Sequence, residues 1–165
     1  VRPILHVSQI AAALGLPRPL GGGGLASGWE LSSTLEAWLE ALRPLDWAAL
    51  TAPAASRGRT LRNLTVNVFH PVGLLPGAWE TGRFDWDPDG DPEREAALAD
   101  LPAVVGYAER IASAWSGFLL ESEDDLEERD RDVVSPRGAL TYSELLAAQL
   151  WHARFHLREL SPPPS

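Results

Sequence analysis

The stretch RGALTYSELLAAQLWHARFHLREL, Arg137 to Leu160, decides the fold. Thr141, followed three residues later by Glu144, reads as a capping box, in which hydroxyl and carboxylate each close a backbone N–H at a helix start. Beyond it, Leu145, Ala148, Gln149, His152 and His156 recur at helical spacing and form one stripe. Leu146, Leu150 and Ala153 widen its apolar face. The pattern predicts a helix from Thr141 to about Leu160, turned in by Pro136-Arg137-Gly138 and closed by the SPPPS tail. His152 and His156 are four residues apart, so both rings project from the same side.

Three more helical segments precede this one. Leu35, Trp38, Leu39 and Leu42 give one apolar face over about Ser32 to Leu42, which Pro44 ends. Asp46 to Arg59 reads as a long connector. A second helix starts near Thr60 and carries Leu61, Leu64, Val68, Leu74 and Leu75. Pro71 removes a backbone donor in its middle, so a kink or break is expected at Phe69–His70, with Pro76 a second irregularity. TGRFDWDPDGDPE reads as an acidic loop. A third helix spans about Glu93 to Leu120, with an interruption expected at Pro102, and its apolar side includes Val104, Tyr107, Ile111 and Trp115. No convincing strand alternation is present. The expectation is an all-α four-helix bundle over residues 29–161, preceded by an N-terminal extension and glycine-rich connector over 1–28 and followed by a disordered tail over 162–165.

Composition narrows the function classes. The chain has 165 residues, enough for one domain, and 45% hydrophobic content, enough for a core. Its net charge of −9 disfavours phosphate backbones and anionic membranes, so neither nucleic acid nor a membrane is the expected partner. No apolar run reaches the roughly 20 residues needed for a span. The expected location is cytoplasmic. With no cysteine, any metal would rest on His, Asp or Glu. Gly21–Gly24 is followed by no lysine, so it reads as a connector and not as a phosphate loop. The run ESEDDLEERDRD lacks the loop spacing and glycine of a calcium-binding EF-hand and reads as a solvated end.

The two helical histidines can be metal ligands or polar groups satisfied within the fold. Buried imidazoles need acceptors or a metal, and a metal needs a third ligand from another helix. His70, at the expected kink, is the candidate, while His6 is more remote. Asn63 and Asn67 lie one turn apart beside His70 and could fix an imidazole tautomer. Glu80 and Tyr142 could reach a pocket mouth, although a structural role is the simpler reading for each. Arg154 and Arg158 read as surface, and Trp151 and Phe155 point to a neighbouring helix or a partner.

The helix carrying WHARFHLREL, introduced by a glycine-containing turn and a threonine start, resembles the final helix of the DinB-like superfamily, which includes YfiT-like metalloproteins. GRTLRNL, Gly58 to Leu64, looks like the opening of that family's second helix. The resemblance runs over about Trp29 to Leu160 and implies a four-helix bundle with a three-histidine site for a divalent metal such as Zn, Ni or Fe. It implies His152 and His156 as two ligands. Counted without gaps from Gly58, the third family position falls on Asn67, one helical turn before His70. The implied activity is transfer or isomerisation dependent on a low-molecular-weight thiol, or hydrolysis, on a small molecule. The alternative is a non-catalytic metal- or small-molecule-binding protein with a degenerate site. Relatives of this kind often pair, so a homodimer is expected.

Overall fold

The computed structural model describes residues 24–53, 58–87 and 91–160. Within them the chain is mostly helical. Helix α1 spans Leu25–Leu42, short α2 Trp47–Thr51, α3 Leu61–Thr81, short α4 Pro92–Ala97, α5 Leu101–Glu121, short α6 Glu123–Glu128 and α7 Tyr142–Leu160. A two-stranded antiparallel sheet, β1 Asp132–Ser135 and β2 Gly138–Thr141, precedes α7.

Each long helix packs on two others. Helix α1 lies against α5 and α7, and α3 also lies against α5 and α7. Leu31, Leu35 and Trp38 of α1, Phe69 and Leu75 of α3, Trp115 of α5 and Leu145 of α7 fill the shared core, each 0–1% exposed. The polar edges of three buried aromatics tie the helices together. Trp38 Nε1 donates to Thr65 Oγ1 at 3.3 Å, Trp115 Nε1 to the Gly28 carbonyl at 3.1 Å, and Tyr142 Oη to the Leu75 carbonyl at 2.8 Å. Such a bond removes the desolvation cost that a buried N–H or O–H would otherwise carry. Gly28 also allows α1 and α5 to close, since a Cβ there would stand 2.7 Å from Leu119 Cδ2.

Several boundaries differ from the sequence reading. Helix α1 begins at Leu25, inside the segment read as connector, and buries Gly28 and Leu31 before reaching Ser32. The connector after Pro44 holds α2, whose start is capped by Asp46 accepting from Ala49 N at 2.7 Å. No break occurs at Phe69–His70: α3 runs through both Pro71 and Pro76. Val68, Phe69, Val72 and Leu75 are all buried around Pro71, and that packing holds the helix although each proline removes one backbone bond. The third predicted helix divides at Leu98–Asp100, just before Pro102. Asp100 caps α5 by accepting from Ala103 N at 2.8 Å, and proline suits the first turn that follows. The β1–β2 hairpin is absent from the sequence reading. Its strands have four residues each, and only Val133 among them is buried.

The start of α7 is as expected. Thr141 N donates to the Glu144 carboxylate at 2.9 Å, and Glu144 N donates to Thr141 Oγ1 at 3.3 Å. The hairpin also holds the segment after α3. Gly82 ends α3 with φ of 72°, a conformation that favours glycine. Val134 N then donates to the Gly82 carbonyl at 2.8 Å, and Phe84 N to the Val134 carbonyl at 2.9 Å. Phe84 and Trp86 are thereby laid into the core.

Candidate functional site

The histidines occupy two environments. His152 and His156 lie on the inner face of α7, 6% and 8% exposed. Their ring centroids are 4.9 Å apart with planes 83° apart. The Trp86 ring stands 5.7 Å from His152, and Phe155 stands 5.1 Å from His156. His156 Nδ1 lies 3.1 Å from Glu159 Oε2. His152 makes no side-chain hydrogen bond among the described residues. Burial, then the neighbouring His156 and then Arg59, hold its pKa down at about 3. The ring is therefore neutral at physiological pH, which is the protonation state that binds metals.

His70 faces a cavity of about 370 Å3. The wall comes from the Gly58–Thr60 turn, from Asn63, Val66 and Asn67 on α3, from Trp86 and Asp87, and from Asp91 and Glu95 at α4. Helical spacing explains why residues 63, 67 and 70 share the face. Burial is the main cause lowering the His70 pKa, and Arg94 adds to it, while Asp91 acts in the opposite direction. Asn63 Nδ2 donates to Glu95 Oε2 at 2.8 Å, so its amide serves a carboxylate and not an imidazole. Trp86 joins the two environments, since it lines the cavity and packs on His152.

The other sequence candidates lie elsewhere. Glu80 is exposed near the end of α3 and outside the cavity wall. Tyr142 is fully buried and hydrogen-bonded to α3, a structural role. Arg154 pairs with Glu30 at 2.7 Å on the surface, and Arg158 is exposed. Trp151 and Phe155 stack at 5.2 Å and remain 43% and 45% exposed. His6 lies outside the described residues. Sequence reasoning missed Arg59, Trp86, Asp91 and Glu95. Arg59 falls in the predicted connector, Trp86 and Asp91 in the acidic loop and Glu95 in the third predicted helix, and nothing in their spacing shows that they meet across a cavity.

The 4.9 Å centroid spacing of the pair matches that of two imidazoles sharing one ion. Two imidazoles on one tetrahedral ion, with metal–nitrogen bonds of about 2.0–2.1 Å, place their centroids about 5 Å apart. When Nδ1 of His156 donates to Glu159, its Nε2 keeps the lone pair a ligand needs. Among the described residues, however, no three His, Asp or Glu side chains are grouped so that they could hold a metal. His70 opens on the cavity, and the pair sits against Trp86.

Fold and site together define a helical protein with a paired-imidazole face and an adjoining polar cavity. Comparisons with family models, curated proteins and solved structures give no match for this chain. Among the described residues no helix is long and apolar enough to cross a membrane.

Proposed function

We propose that this chain is a four-helix bundle of the DinB-like type and a divalent-metal-dependent enzyme, using Zn, Ni or Fe, that acts on a small molecule. The observation that carries this reading is the His152–His156 pair, 4.9 Å apart, with His152 neutral and His156 backed by Glu159. His70 is our candidate for the third ligand and Asn67 its alternative. A divalent ion so bound would lower the pKa of a thiol or water and make it a nucleophile near neutral pH. The reaction is thiol-dependent transfer or isomerisation, or hydrolysis, with a low-molecular-weight thiol as co-substrate in the first case.

The protein's own groups have distinct parts. The cavity beside α3 receives the substrate, and Asn67 offers it an amide donor and acceptor. His70, whose pKa is lowered chiefly by burial, would offer its imidazole lone pair to the ion. Trp86 keeps water from the His152 ring. A second reading, a non-catalytic binding protein, is favoured by the lack of a third grouped ligand among the described residues. Elemental analysis of the purified protein separates the two. About one metal per chain, lost in His152→Ala and in His156→Ala, is expected. Metal-free protein that takes up none from solution contradicts the enzyme reading. Metal retained in His70→Ala and lost in Asn67→Ala would reassign the third ligand.

A further inference from the structure

The same cavity carries an uncommitted cation. Arg59 lines it, is half-buried, and among the described residues makes no ion pair or hydrogen bond. Among the described residues, the other guanidiniums close to this wall are in ion pairs. Arg94 Nε is 2.9 Å from Asp91 Oδ2, and Arg62 Nε is 3.3 Å from Glu95 Oε1. Those two carboxylates therefore already have cationic partners, and Glu95 also accepts from Asn63. Asp87 is exposed at the rim of the wall, where solvent weakens its field, and it is not without a partner of its own. Arg59 also directly precedes Thr60, the N-cap of the 21-residue α3, so the positive end of the helix dipole adds to its field.

We propose that Arg59 anchors a carboxylate of the small molecule bound in this cavity, an inference that rests on the cavity being the substrate site. A half-buried guanidinium is weakly hydrated and presents parallel N–H donors that match a planar carboxylate. Among the described residues, one uncommitted cation matches one negative charge. A dianionic phosphate would exceed it and would meet Asp87, Asp91 and Glu95 on the same wall. Asn63 and Asn67, one and two turns into α3, and His70 beyond them then face the neutral part of the ligand. The anchored group is thus set at the start of α3 and the rest of the molecule along the face that leads to His70.

The test uses three probes of similar size, benzoate, phenyl phosphate and benzamide, each titrated into the full chain while the His70 ring resonances are followed. Benzoate is expected to bind about tenfold or more tightly than benzamide, as for a hydrogen-bonded charge. Arg59→Gln should reduce benzoate to the benzamide level and leave benzamide unchanged, and Arg59→Lys should restore only part of the difference. Equal binding of benzoate and benzamide, or benzoate binding untouched by Arg59→Gln, overturns the anchor while leaving the cavity as a site. Preference for phenyl phosphate over benzoate overturns the carboxylate assignment. If no probe moves the His70 signals, the cavity reading fails and the anchor with it.

Discussion

His70 lines an open cavity among amides and paired carboxylates, whereas His152 is packed on α7 between Trp86 and His156. Both imidazoles are held neutral chiefly by burial, but to different depths. The first can exchange protons with a ligand or with water. The second can do so only if its aromatic cover moves. One residue type thus gives a reactive wall in one place and a stored pair of lone pairs in the other, and Trp86 is the side chain that separates the two behaviours.

Removing that side chain should erase the contrast. Trp86→Ala is expected to cost about 3 kcal/mol, because a 6%-exposed indole leaves a void. It should also raise the His152 pKa from about 3 towards its ordinary value, because water enters. Chemical denaturation and a histidine-resolved NMR titration check both effects. Unchanged titration of His152 would show that its depression does not depend on Trp86.

Acid should act more strongly through the deeply buried His152 than through the half-buried His70. A folded-state pKa below the unfolded value means that the unfolded chain binds the proton first. The stability contributed by neutral His152 is therefore complete above about pH 6.5 and is lost as pH falls towards about 3. For metal-free protein this single group should remove about 2 kcal/mol between about pH 6.5 and pH 5. His152→Gln should flatten that slope, and His70→Gln should flatten it less.

Polar bonds in the two regions should differ in the same direction. Tyr142→Phe removes the bond to the Leu75 carbonyl and leaves that oxygen buried, at a cost of about 1.5 kcal/mol. Asn63→Ala, beside the cavity where water can replace the amide on Glu95, should cost about 0.5 kcal/mol. Smallest of all, Arg43→Ala breaks a pair with Glu109 whose side chains are about half exposed, and should change stability by under about 0.5 kcal/mol. Urea unfolding midpoints order all three.

The two regions were also unequally legible in the sequence. Helix α7 could be read because local rules determine it: Thr141 and Glu144 cap each other, and the apolar stripe repeats at helical spacing. The cavity could not, because Arg59, Trp86 and Glu95 are brought together by tertiary contacts with no sequence period. Trp86 depends on the hydrogen bonds of Gly82 and Phe84 to Val134, in a hairpin too short to show alternation. Pro71 misled for a related reason. Its local cost is real, but the buried residues around it hold α3 together over long range. His70 nonetheless faces a cavity without any break to aim it.

The central claim is that His152 and His156 act together as metal ligands. The most direct test titrates metal-free protein with zinc while following the imidazole nitrogen resonances. The His152 and His156 signals should move together and saturate at about one equivalent per chain, with Glu159→Gln weakening the effect by about tenfold. Neither imidazole responding to excess zinc, with the fold intact, would contradict it.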